Sequence, residues 1–360
     1  MMNRFFKVVL ALAALVYCEV SQAANEIESF ELLSSPGLSG RIAFGAGIKG
    51  IEQIFLLDID ARKVRPLVSG PGDNRHPSIS PNGEEVSFLS DRDGFSAVYV
   101  SEWSGENPRR ITGADLVPSG PSWNGSGSKI VFSARTKKHA DGPSNIYEAD
   151  HAAVITQITQ LGGNNLNPSW SPDGKVIAYQ TDRFWPGLDI CAWNLALKTE
   201  SCLLTGTKSF LRPVWSYNGK LLAFSFGAYE ASELGVLRLD SATRLHVAST
   251  QRKIHDAAWS PDDKHLAICA ESSTKGILNI FVSDLEDRVI PLVRSTYSIH
   301  GLSWSGVKTI TLEAKRARKT EIQTTTPSPV LKSIPTTSLP SVSQSDLLRE
   351  FLGPEGSGGR

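Results

Sequence analysis

Through most of the chain, apolar residues come in runs of three to five, separated by polar stretches rich in glycine, proline, serine and asparagine. Lys129-Ile-Val-Phe132, Val176-Ile-Ala-Tyr179 and Leu221-Leu-Ala-Phe224 are typical: dense in β-formers and too short for helices, so they predict strands. The runs recur in a fixed phrase. His76-Pro-Ser-Ile-Ser-Pro-Asn-Gly83, Gly120-Pro-Ser-Trp-Asn-Gly-Ser-Gly127, Asn167-Pro-Ser-Trp-Ser-Pro-Asp-Gly174, Arg212-Pro-Val-Trp-Ser-Tyr-Asn-Gly219, Asp256-Ala-Ala-Trp-Ser-Pro-Asp-Asp263 and Gly301-Leu-Ser-Trp-Ser-Gly306 are copies of it. The key position is Ile79, Trp123, Trp170, Trp215, Trp259 and Trp304, at steps of 44, 47, 45, 44 and 45 residues. A period in the forties belongs to propeller blades or helical arrays.

The residues after each copy decide for blades. Ser-Pro-Asp-Gly is a tight-turn sequence, in which proline presets φ, Asn or Asp bonds the local backbone and glycine accepts positive φ. A second short run, a polar loop, a third run and a fourth then complete each unit, as in Val86–Phe88, Val98–Val100 and Arg110–Thr112. Four antiparallel strands per repeat make a propeller blade. The expected fold is all-β, a six-bladed propeller over residues 39–314, following a lead-in at 24–38. It enters at a second strand, Arg41–Phe44, and takes the matching first strand from Gly301–Ser305 at the other end. Seven blades are the alternative, with Ile27–Leu33 as an extra first strand and Thr309–Glu313 as an extra second.

The ends are different material. Residues 1–23 have basic Arg4 and Lys7, an apolar run from Val8 to Val16, and small Ser21 and Ala23, the pattern of a secretory signal peptide. Bulky Tyr17 ahead of Cys18 argues against lipid attachment there. Residues 315–360 open with the basic stretch Lys315–Lys319 and continue rich in Thr, Ser and Pro, a composition predicting a disordered tail. With 37 basic and 37 acidic residues in all, no net field favours nucleic acid. After signal cleavage no membrane span is expected.

The repeat phrase Trp170-Ser-Pro-Asp-Gly-Lys175, its near copy at Trp259–Lys264, and the loops Ser90-Asp-Arg92 and Thr181-Asp-Arg183 resemble the TolB-like β-propeller family. The resemblance runs over about residues 39–313. It implies an exported, periplasmic, non-catalytic module that binds an envelope protein or peptide, by family likeness of the peptidoglycan-associated lipoprotein type. The family's mixed α/β domain, which precedes the propeller and engages an inner-membrane partner, has no counterpart in the few residues between 24 and 38. The same repeat is similar to the accessory propellers of prolyl-oligopeptidase-type peptidases and of pectate-degrading lyases. Enzymatic alternatives therefore stand beside the binding reading, as does an architectural module whose tail makes the contacts.

Candidate chemistry is confined to few places. No Gly-x-Ser-x-Gly elbow occurs, the seven histidines show no metal-ligand spacing, and no cofactor or metal is expected. The repeated tryptophans read as blade-to-blade packing. Because the first strand of a blade lines the central channel, residues just before the Trp position share one mouth. Arg75, His76, Asn167, Arg212, His255, Asp256 and His300 stand there, ready to converge on a peptide or acidic group. A hydrated rim with no ligand is the bland alternative, and a lyase-type site built on His76, His255, His300 and Arg212 is the catalytic one. The expected oligomeric state is a monomer. Finally, if Trp193 faces Glu200 across the hairpin of its blade, Cys191 faces Cys202, and the two are expected to form a disulfide, leaving Cys269 as a buried thiol.

Overall fold

The computed structural model describes residues 30–33, 37–48, 50–139, 141–184, 186–228, 231–248, 253–271, 277–286 and 288–306. The signal segment, the tail and the alternative strand at 309–313 lie outside these residues. Among the described residues no helix is long and apolar enough to cross a membrane.

Six antiparallel sheets make a six-bladed propeller. Blade 1 joins the two ends of the ring: Ile299–Ser305 is its inner strand, followed outward by Arg41–Ile48, Ile51–Asp58 and Lys63–Val68. The inner strands of blades 2 to 6 are Asn74–Ile79, Leu116–Trp123, Asn165–Trp170, Ser209–Trp215 and Ile254–Trp259. Pairing of Ile42 with Trp304 and of Arg41 with Ser305 closes the ring by completing blade 1 with strands from both ends of the propeller.

The seven-blade alternative fails at the N-terminal side. Phe30–Leu32 does not begin a further blade; it adds a fifth, outermost strand to blade 6, pairing Phe30 with Ser295 and Leu32 with Val293. Its packing gives the reason. Phe30 places its ring 5.4 Å from Phe44 and 4.9 Å from Phe55 of blade 1, so this short strand ties blade 6 to the closing blade.

The turn phrase earns its shape from local bonds. Ser80, Ser171, Ser216 and Ser260 are buried, and each donates to the Asn or Asp two residues on while accepting the N–H five residues on. Gly83, Gly127, Gly174 and Gly219 take φ near 70°, which closes the turn.

The hydrophobic core is divided among six wedges, one between each pair of neighbouring blades. Every tryptophan of the repeat sits in one. Trp123 Nε1 donates to Ser78 O and Trp259 Nε1 to Val214 O, each on the preceding blade at 3.0 Å, while Trp304 Nε1 reaches Ser39 O. These rings hold blade to blade, the role the pattern predicted.

On blade 4, Trp193 pairs with Glu200 and Cys191 with Cys202, and the two sulfurs are joined in a disulfide. Cys269 is buried on blade 6, and its thiol donates to Ile299 O of blade 1 at 2.6 Å.

Candidate functional site

In blades 1 to 5 the ladder of the inner strand breaks three residues before the key position. In blade 2 the register passes from Arg75 opposite Leu89 to Ser78 opposite Ser87, and blades 4 and 5 break between Leu166 and Ser169 and between Leu211 and Val214. These are β-bulges, devices that turn a side chain out of the sheet's alternation. The bulged residues have left-handed backbone: His76 at φ 51°, Gly120 at 59°, Asn167 at 50°, Arg212 at 50° and Gly301 at 64°. At Gly301 the close approach of blade 2 demands glycine, because a Cβ would lie 2.9 Å from His76 Cα. At His76, Asn167 and Arg212 a large side chain is carried in a conformation that L-residues resist, and all three line the channel.

Blade 6 departs from this pattern, which corrects the expectation that all six positions are equivalent. Its bulge lies one residue earlier, at His255 between Ile254 and Asp256, and Asp256 has no left-handed backbone. The cause lies one residue further on. Blades 2 to 5 have Pro77, Pro121, Pro168 and Pro213, which carry no N–H, whereas blades 6 and 1 have Ala257 and Leu302. The Asp256 carboxylate accepts both of these N–H groups, at 3.0 and 3.1 Å. Asp256 therefore has a structural duty that the sequence did not disclose.

The channel holds a cavity of about 490 Å³, within the usual range for ligand sites. His76, Asn167, Arg212 and Asp256 line it at one end, with Arg75, His255 and His300 adjoining as half-buried neighbours. Burial draws His76 down to about 4, helped by Arg212, His300 and Arg75 and opposed by Asp256, so its imidazole is neutral at physiological pH. Burial likewise lowers His255, whose Nε2 has no partner. The rings of His76 and His300 lie 6.3 Å apart.

Two residues at the mouth escaped the sequence reading. Glu52, from the middle of blade 1, stands 3.2 Å from His300 Nε2, and this pairing holds it below the usual carboxylate range. Nothing in a repeat built on inner strands points to it. Gln180 was legible in principle: its counterparts are Gly45, Leu89, Ser133, Ser225 and Cys269, and it alone is long and polar. Its Oε1 accepts from Asn167 Nδ2 at 2.9 Å and from Arg212 N at 3.0 Å, fixing two bulges at once.

The far end differs. Tyr217 stands where other blades have Pro81, Gly125, Pro172, Pro261 and Gly306, and it lines the same cavity. Its phenol donates to Trp304 O, two blades round the ring, so the side chain spans that end. The Asp263 carboxylate holds its base, accepting Tyr217 N at 2.6 Å and Asn218 N at 2.8 Å.

Away from the channel, Glu200 on blade 4 is paired with Arg183 at 2.5 and 2.6 Å and accepts the Tyr179 hydroxyl. Among the described residues, the one group of three close metal-capable side chains is Cys191, Glu200 and Cys202, two of them joined in the disulfide.

Residues 33–141 match the model of the TolB beta propeller domain. The Tol-Pal system protein TolB of Francisella tularensis is 26% identical over 232 residues, 61% of this chain and 52% of that protein. An uncharacterized protein of Agrobacterium fabrum is 30% identical over 144 residues, 38% of this chain and 48% of that one. The chain thus spans about half the length of the curated relatives it matches. The crystal structure of TolB from Acinetobacter baumannii superposes with a TM-score of 0.64 at 17% identity, covering 74% of this chain and 66% of that one, a likeness of fold. Repeat phrase, blade number and these matches agree: the chain is a six-bladed β-propeller, and its residues 33–141 are similar to the TolB beta propeller domain.

Proposed function

We propose that this propeller is a non-catalytic protein- or peptide-binding module of the bacterial cell envelope, exported to the periplasm by residues 1–23, that receives its partner at the channel mouth. One observation carries the reading. His76, Asn167 and Arg212 are held at left-handed bulges, a conformation that costs free energy and is kept where surrounding structure or function demands it. Glycine fills the same position in blades 3 and 1, so the fold itself does not require side chains there. All three line one cavity. By likeness to the Tol-Pal system protein TolB, the partner is an envelope protein of the peptidoglycan-associated lipoprotein kind.

The test is capture of the partner from envelope extract by the purified propeller. Changing Arg212 and His76 together to Ala should weaken capture and leave the melting temperature nearly unchanged, since both are half-buried polar positions. Undiminished capture by a folded double variant overturns the reading.

A further inference from the structure

Two arginines at the mouth differ from several that are bonded elsewhere in the sheets. Arg41 bonds Asp58, Arg110 bonds Asp93, Arg183 grips Glu200, and Arg92 bonds Ser90 and Asn74. Arg212 comes only to 3.7 Å from Asp256, and Arg75 only to 3.8 Å from Asp73. No hydrogen bond among the described residues uses either guanidinium.

The carboxylates facing them explain why. Both Asp256 oxygens are held by the Ala257 and Leu302 N–H groups, and Asp73 Oδ1 accepts Glu52 N at 2.9 Å. Both acids are oriented by these backbone bonds and stay 3.7 to 3.8 Å from the arginines, so both guanidiniums keep forked donors that match a carboxylate. Arg75 belongs to blade 2 and Arg212 to blade 5, opposite each other across a six-membered ring, with neutral His76 near both. Just inside lie Pro77, Pro121, Pro168 and Pro213, apolar rings that lower the local polarity and so favour a charge-assisted bond at their edge. Tyr217 spans the opposite end.

We propose that the mouth takes a single carboxylate of a partner polypeptide, gripped by Arg212 with Arg75 facing it, and that Tyr217 makes the channel a well entered from this end alone. The proposal rests on the mouth being the binding surface and adds the chemistry of what enters. An acidic side chain and the carboxyl terminus of a polypeptide offer the same group.

Titration of the whole propeller with three blocked peptides separates the cases: acetyl-Gly-Glu-Gly-amide, acetyl-Gly-Gly-Gly free acid and acetyl-Gly-Gln-Gly-amide, followed by calorimetry and by histidine ring proton shifts. At least one acidic peptide should bind and the Gln peptide should not; which one binds tells side chain from carboxyl terminus. Arg212→Gln should lower affinity at least about ten-fold, and Arg75→Gln, in ordinary strand backbone, should lower it too. Equal binding of the Gln peptide, or unchanged affinity in both Arg variants, overturns the proposal. Tyr217→Pro should leave affinity unchanged, and a loss would put the carboxylate at the wrong end. Partner capture keeps the two readings apart. If Asn167→Trp blocks capture while Arg212→Gln does not, the carboxylate is refuted and the mouth stands; if neither blocks it, the mouth falls as well.

Discussion

Replacing Arg212 by glycine should leave the propeller as stable as before or slightly more stable, although it removes a half-buried side chain. Arg212 has φ 50°, and left-handed backbone costs a non-glycine residue about 1–2 kcal/mol. Glycine removes that cost but loses about 0.5–1 kcal/mol through the greater freedom of the unfolded state. The Arg212 side chain offers little to set against this, being 3.7 Å from Asp256 with no hydrogen bond, while the bond from Arg212 N to Gln180 survives the change. The net effect lies between zero and about 1.5 kcal/mol of stabilisation, at most roughly 3 °C in melting temperature for a domain of this size. Arg212→Val should go the other way by about 1–2 kcal/mol, because a β-branched side chain tolerates this region worst. Arg65→Gly, on an outer strand of blade 1 without positive φ, should lose about 0.5–1 kcal/mol from backbone entropy and more from its contact with Trp103. Urea melts of the three variants, read at constant m-value, make the comparison. Backbone strain at the bulge is refuted if Arg212→Gly is the most damaging of the three or if Arg212→Val is tolerated.

Trp170→Ala should cost about 3–5 kcal/mol, since the ring fills the wedge between blades 3 and 4, and a loss below about 1 kcal/mol in a chemical melt would refute the packing role. Trp170→Phe should be milder than Trp259→Phe, because Trp259 also bonds Val214 O whereas Trp170 Nε1 has no partner; equal losses would count against this. Thiol titration of the unfolded, unreduced protein lacking residues 1–23 should find one free thiol, and reduction should lower stability by about 2–3 kcal/mol for so short a loop; three thiols would rule out the Cys191 to Cys202 bridge. His76 titrates at about 4 when folded, below the usual histidine value, so between roughly pH 6.5 and 4 the unfolded state binds a proton that the folded state does not, and stability falls as pH falls through that window. In melts across that range His76→Asn should flatten the slope relative to the parent, and an unchanged slope would contradict the buried neutral imidazole.

The blades were legible because their information is local. Ser-Pro-Asp-Gly encodes a turn within four residues, the apolar runs after it encode strands by composition, and six copies in register fix the repeat and the ring. The hairpin register that sets Cys191 opposite Cys202 is local in the same sense, arising from a short turn and the two-residue alternation of a strand. That first-strand residues gather at a mouth is also a property of the fold. Their roles are not. Asp256 was grouped with ligand-binding positions, yet its partners Ala257 and Leu302 become visible only when blades 6 and 1 meet, and the absent prolines there matter only because two N–H groups then need an acceptor. Phe30 was free to begin a seventh blade until the rings of Phe44 and Phe55 supplied a better burial on the outer edge of blade 6. Glu52 comes to the mouth from a different strand than the one carrying the repeat, and Tyr217 reaches a carbonyl 87 residues away at the far end. Periodicity along the sequence determined the blades and the packing of the tryptophans, because turn and strand preferences act over a few bonds. Which side chains face one another and which donors remain open were decided by ring closure, because only closure brings residues from separate blades within hydrogen-bonding distance.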